Sequence, residues 1–480
     1  MIKNKVFKTA VLSFIALLSA TGLAACSDGD DNSADRESET GAGIVAIDLD
    51  GSTIKCDSPS VQVDETTVTI ISGGEYILSG NLSDGMIIVN AGKSDKVHLV
   101  FDNVSINNST NAAVYVRKAG ETVITLKDGS SNSLSSGSYT SIDDNDIDGC
   151  IFSKSDLVVN GTGSLDISAN EGHGIVSKDS LTVSDGTFAI KCAEDAFNGK
   201  DSLTVSDGTF TVNAGDDGMH SDGITTINGG KITIEQCCEG IEGSSVSVTG
   251  GEIRITSTDD GINAAGDDDA VLHSIDISGG KISIKAAGDG IDSNGSFTVS
   301  GGTVYVSGSE NGGNGALDYV STGQITGGTL IAVGNSQMAM NMDSSSTQGS
   351  ILVTTDKTYG AGTLIKVTDS DGNNLIEYTA ESSFNSVVAS AEGMEKGGTY
   401  TISIDGNDTT VTLEDIIYGS GSAMGPGGMG HGGMRPDGGN KPSGNGMGPD
   451  GEMPSMPSDG GMKPEGGNMG PGENNVLPEK

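Results

Sequence analysis

The chain has 480 residues, 75 of them glycine and none tryptophan, and its 66 acidic against 25 basic side chains leave a net charge of −41. That composition does not suit a helical or α/β enzyme. A polyanion of this size argues against nucleic acid as a partner and for divalent cations.

In chain order, residues 1–25 read as an export signal peptide. Lys3, Lys5 and Lys8 supply its positive region and AVLSFIALLSA (10–20) its apolar stretch, too short and one-sided for a transmembrane span. It ends in LAAC (23–26), which resembles the bacterial lipobox. The expectation is an exported bacterial lipoprotein, lipidated at Cys26 and anchored at the cell surface, with ordinary secretion as the alternative. No other segment is apolar enough to span a membrane. Residues 26–43 are acidic and non-periodic, a flexible tether.

Residues 44–348 carry short alternating runs of Val, Ile, Thr and Phe broken by glycine turns, loosely spaced up to about residue 134 and regular after it. SLTVSDGTFAI (180–190) recurs as SLTVSDGTFTV (202–212), and the frame continues through ITTINGGKITI, VSVTGGEIRI, IDISGGKISI, FTVSGGTVYV and QITGGTLIAV. Gly186, Gly208, Gly230, Gly251, Gly280, Gly302 and Gly328 mark it, in steps of 22, 22, 21, 29, 22 and 26. Such a unit cannot bury its apolar face alone, whereas stacked units bury a continuous column. A period near 22 therefore predicts an all-β fold, a parallel β-helix. Of ten prolines only Pro59 precedes residue 420, as paired strands require. The cysteines after Cys26 are Cys56, Cys150, Cys192, Cys237 and Cys238. Cys192 and Cys237 fall about two coils apart, roughly 9–10 Å, too far for a disulfide, so mostly free thiols are expected.

Residues 349–418 lose the glycine register and read as a small C-terminal β cap, in which DSDGN (369–373) is a hairpin turn rather than a calcium loop. Residues 419–480 are Gly/Pro/Met-rich and hold eight of the fifteen methionines, the composition of a disordered tail.

The repeat frame stacks its acidic turns. One column reads Asp195, Asp217, Glu239, Asp260, Asp289; the position before it reads Glu194, Asp216, Cys238, Asp259, Gly288. Three residues after the first column come Asn198, His220, Glu242, Asn263, Asp292 and Asp318. Equivalent positions stack about 4.8 Å apart, where two unit charges repel by on the order of 3 kcal/mol at an effective dielectric of about 20. The ladder must be splayed into water, partly protonated or bridged by cations. Oxygen-only ligands favour Ca²⁺, with Asp195, Asp216, Asp217, Glu239, Glu242, Asp259, Asp260, Asn263, Asp289 and Asp292 as candidate ligands. The competing reading is that these side chains only hydrogen-bond turn amides. The acidic insertion AAGDDDAVLHS (264–274) either closes over such a site or is simply solvated.

No Ser–His–Asp order, HExxH, paired CxxC or phosphate loop is present, and the scattered histidines mark no catalytic set. Lys191, Lys231, Arg254, Lys281 and Lys285 lie in or beside coil strands, outside the acidic columns, and read as solvated.

The coils DSLTVSDGT, DDGMHSDGITTINGGKITI, EGIEGSSVSVTGGEIRIT, DDGINAAG, GDGIDSNGSFTVSGGTVYV and NGGNGALDY, with SSSTQGSILVTT and SFNSVVASAEGMEKGGTYT in the cap, resemble the bacterial carbohydrate-binding domain-containing family over roughly residues 44–410. The resemblance implies a right-handed parallel β-helix, similar in fold to family 9 pectate lyases, that binds calcium, polygalacturonate and cellulose without cleaving. An acidic polysaccharide held through Ca²⁺ is then the expected partner, with no nucleic acid and only a lipid anchor in the membrane. Tyr305 and Tyr319 would be left to stack on sugar faces. A pectate-lyase-like enzyme and a surface adhesin or spacer with structural calcium are the alternatives.

Overall fold

The computed structural model describes residues 43–143, 145–266 and 271–419. The signal peptide, Cys26, the tether before residue 43, Asp267, Asp268 and Asp269 of the acidic insertion, and the tail after residue 419 lie outside the described residues. The described residues form β-strands and turns without helices, in sheets of 25, 12 and 4 strands.

Each regular repeat supplies three short strands. In one of them, Ser202–Val205 and Thr209–Asn213 join the largest sheet and Met219–His220 the second. Each pairs in parallel with its counterparts in the repeats before and after, so Ser202–Val205 lies between Ser180–Val183 and Ile224–Ile227. The sequence alternation appears as burial: in Thr187–Cys192 every second residue is buried, because successive side chains leave opposite faces of a strand. Leu181, Val183, Phe188 and Ile190 point inward and repeat as Leu203, Val205, Phe210 and Val212, all fully or almost fully buried. Phe188 and Phe210 stack in parallel planes, ring centres 5.1 Å apart. One continuous core runs along the coils in this way.

The marker glycines have a conformational reason. All seven, from Gly186 to Gly328, have φ between +80° and +133°, where an L side chain is strained. At Gly230 a Cβ would also sit 2.9 Å from the Gly208 carbonyl of the coil below. The described cysteines are free thiols, as expected.

The parallel stack ends at Thr329–Gly334, which pairs antiparallel with Phe384–Ser390, itself antiparallel to Ser350–Tyr359. Its alternate residues serve two cores. Leu330 and Ala332 close the coil column, while Ile331 and Val333 pack with Val387 and Ile365 in the cap. The four-stranded sheet completes the cap, and DSDGN is a hairpin turn in it, with Asp369 accepting the amides of Asp371 and Asn373 at 2.9 and 2.8 Å.

Candidate cation site on the stacked turns

The acidic columns sit on the turn leading from the Thr187–Cys192 type of strand into the short strand of the second sheet. Backbone bonds lock this turn from coil to coil: the amides of Ala196, Gly218, Gly240 and Gly261 donate to the carbonyls of Asp217, Glu239, Asp260 and Asp289 at 2.9–3.0 Å. The register survives the longer coil, since Asn263 pairs with Asp292 and Asp292 with Asp318.

The side chains of the inner column do two things. One oxygen accepts an amide of the following coil: Asp217 N–H donates to Asp195 Oδ1 at 3.0 Å, Glu239 N–H to Asp217 Oδ1 at 3.3 Å, and Asp289 N–H to Asp260 Oδ1 at 2.6 Å. The Gly315 amide donates likewise to Asp289 Oδ1. The turn-capping role weighed from the sequence is therefore present, but it occupies only half of each carboxylate.

The second oxygen divides the ladder. Asn198 Nδ2 donates to Asp195 Oδ2 at 2.7 Å, and Asn263 Nδ2 to Glu239 Oε2 at 2.9 Å. His220 places Nδ1 3.1 Å from Asp217 Oδ2 and against Glu242 Oε2, with Nε2 3.2 Å from Asp222 Oδ1. With carboxylates at both nitrogens, this ring is held as an imidazolium. Although burial opposes the charge, its bonds to Asp217 and Glu242 raise it to about 11. His173 starts the inner column: its Nδ1 accepts the Asp195 amide at 3.0 Å, and its Nε2 lies 2.8 Å from Glu194. Asp195 is buried yet held low with His173 beside it, whereas burial pushes Asp217 up.

Beyond Glu239 the nitrogen donors stop. Carboxylate oxygens of Asp260, Asp289 and Asp292 lie within 4.8 Å of one another, with no side-chain donor facing them among the described residues. Burial, with repulsion from neighbouring carboxylates that include Asp318 and Asp259, raises Asp260 to about 8, Asp292 to about 7 and Asp289 to about 6. Asn263 stands beside them at 7% exposure, and its Oδ1 is buried without a partner. Its amide nitrogen is spent on Glu239, so that oxygen is an acceptor open to a cation or a hydrogen-bond donor. Four oxygen-bearing side chains with an orphaned carbonyl fit a hard divalent ion. Gly288 keeps the space open: a Cβ there would fall 2.4 and 2.5 Å from Asp259 Oδ1 and Asp260 Oδ1.

Of the candidate ligands, Asp195 and Asp217 converge with His220, Asp217 also with Glu239 and Glu242, and Asp260 with Asp289 and Asp292. Asp216 and Asp259 fall outside these convergent groups. The sequence reading placed His220 in the column between Asn198 and Glu242 without making it a partner of the acids, and it missed His173, which lies 22 residues before Asp195. Arg254 is exposed, as read from the sequence, and it also binds Glu381 of the cap. Tyr305 packs on Tyr378 and Tyr319 donates to the Asn341 carbonyl, so both expected stacking rings are tied into protein contacts. Of the acidic insertion, the described His273 turns back to the Ser244 carbonyl at 2.8 Å.

A family model described as carbohydrate-binding domain-containing protein matches residues 64–246 and 222–429. A carbohydrate-binding domain-containing protein of Acetivibrio thermocellus is 29% identical over 194 residues, which is 40% of this chain and 65% of that protein. The chain thus spans just under two thirds of that relative's length. Among solved structures, a polysaccharide lyase-like protein from C. thermocellum, as its gadolinium derivative, is 26% identical with a TM-score of 0.43, covering 53% of this chain and 96% of that one.

Proposed function

The chain belongs to the carbohydrate-binding domain-containing family, and from that premise we propose that it is a non-catalytic binder of acidic, polygalacturonate-like polysaccharide, acting through Ca²⁺. The observation that carries the reading is the Asp260, Asp289 and Asp292 cluster with the unpartnered Asn263 Oδ1 beside it. These four side chains would hold the ion, and a calcium ion supplies the charge that lets a polyanionic surface accept a polyanionic chain. The backbone amides on Asp260 and Asp289 fix those carboxylates in place, so the site is pre-organised. In this reading the stacked coils are a right-handed parallel β-helix, and an anchor at Cys26 presents them at the cell surface.

The test is affinity electrophoresis of the mature chain in gels containing polygalacturonate, with calcium or with EDTA. Retardation only with calcium, weakened by Asp260→Ala and Asp289→Ala, is expected. Mobility unchanged in both gels would sink the uronate reading in favour of a spacer with structural calcium. Ultraviolet absorbance from unsaturated uronate in the same mixtures would replace binding by lyase chemistry.

A further inference from the structure

The loop between strands Asn374–Thr379 and Phe384–Ser390 is pinned onto three successive coils. Arg254 grips both oxygens of Glu381 at 3.1 and 2.5 Å, and Ser283 Oγ donates to the same carboxylate at 3.2 Å. The Glu381 amide donates to Ser307 Oγ at 2.8 Å, and the Ser383 amide to Glu310 Oε1 at 2.9 Å. Between this fixed wall and the coil turns lies a cleft of about 300 Å³, at the lower end of ligand-site volumes.

The cleft is lined by Ala286 and the exposed Ala287, with Thr256, Lys285, Glu310 and Asn311 around them. Lys285 is exposed, and its ladder neighbours are the neutral Thr256 and Ser307. Among the described residues it has no ion-pair or hydrogen-bond partner. Glu310 lines the same cleft with its Oε1 held by the Ser383 amide, and in a chain of net charge −41 a lysine without an ion pair offers an anion a partner. The cleft also adjoins the cation cluster, because Thr256 and Ala287 lie on the strand ends that run directly into Asp260 and Asp289.

We infer that this cleft seats a uronate ring of the bound polysaccharide, its carboxylate on Lys285 and its hydroxyls on Glu310 and Asn311. The inference rests on the acidic-polysaccharide reading and assigns that reading a second anchor point, beside the ion. A neutral sugar would leave the lysine unused, so the cleft is a specificity element for charged sugars.

Calorimetry of the mature chain with oligogalacturonate and with cello-oligosaccharide, both in calcium, tests it. Lys285→Met is expected to weaken oligogalacturonate at least about tenfold, the loss of one charge-assisted bond, without changing cello-oligosaccharide or Ca²⁺ binding. Ala287→Phe fills the cleft from an exposed position and is expected to weaken oligogalacturonate similarly, again at unchanged Ca²⁺ affinity. If both variants bind oligogalacturonate as the wild type does while Asp292→Asn loses it, the cleft inference is overturned and the calcium-bridged reading stands. Absence of oligogalacturonate binding by the wild type overturns both.

Discussion

In the coils from Asp195 to Glu242 the buried carboxylates meet nitrogen: Asn198, His173, His220 and Asn263 all turn toward the ladder. In the coils from Asp260 to Asp292, on the same backbone turn, no side-chain nitrogen meets the carboxylates of Asp260, Asp289 and Asp292 among the described residues, and the Asn263 carbonyl oxygen stands unpartnered. The first stretch carries its counter-charge within the protein, as imidazolium. The second presents oxygen alone, which is the chemistry a hard cation requires. A stacked fold forces like side chains close together, and what matters is which coil leaves its charge for a ligand to neutralise.

The sharpest way to break this contrast is His220→Leu. It strands Asp217 and Glu242 without their counter-charge, and we expect a loss of about 3–5 kcal/mol in urea unfolding, partly restored by calcium. A loss under about 1 kcal/mol would mean the ring is not the internal cation.

The pH dependence separates the stretches next. Asp260, Asp292 and Asp289 sit at about 8, 7 and 6 against an ordinary 3.8, so the folded chain holds protons that the unfolded chain has released. Their contribution is present below about pH 4 and is lost as pH rises through 6 to 8. In EDTA, thermal unfolding should show stability falling across that window, and calcium should flatten the fall. His220, raised from 6.5 to about 11, contributes fully below pH 6.5 and loses that contribution as pH rises toward 11. His220→Leu should therefore remove the part of the fall that continues above pH 8.

A smaller effect is expected of Asp292→Asn, with opposite signs in two buffers. Without calcium it relieves like-charge repulsion and should stabilise by about 1 kcal/mol; with calcium it removes a ligand and should destabilise by a similar amount. The same sign in both buffers would argue against an ion there. Smallest of all is Asp259→Asn, an exposed change that should move stability by no more than about 0.5 kcal/mol. A larger change would extend the functional ladder to the position before the inner column.

Much of this arrangement is legible in residue spacing. The step from Gly186 to Gly208 fixes a coil, and adding it to Asp195 reaches Asp217 and then Glu239, the neighbours observed. The same arithmetic applied backwards reaches His173, but a histidine does not resemble an aspartate as a letter, and its place in the column goes unnoticed. Arg254 gave no local hint of Glu381, 127 residues away, because the cap folds back over coils with which it shares no period. Lys285 likewise reads as one more solvated strand residue until the loop at 380–383 places a wall beside it.

The sequence by itself determined the coil, its parallel stacking and the identity of the residues in each column, because a repeat of fixed length leaves equivalent positions nowhere else to go. Only the tertiary structure decided which carboxylates share a proton donor and which share none. That depends on where each side chain's second oxygen points and on what stands across from it. Separations of 3 and 5 Å look identical in a sequence, yet they distinguish a satisfied ion pair from a cluster that calls for an ion.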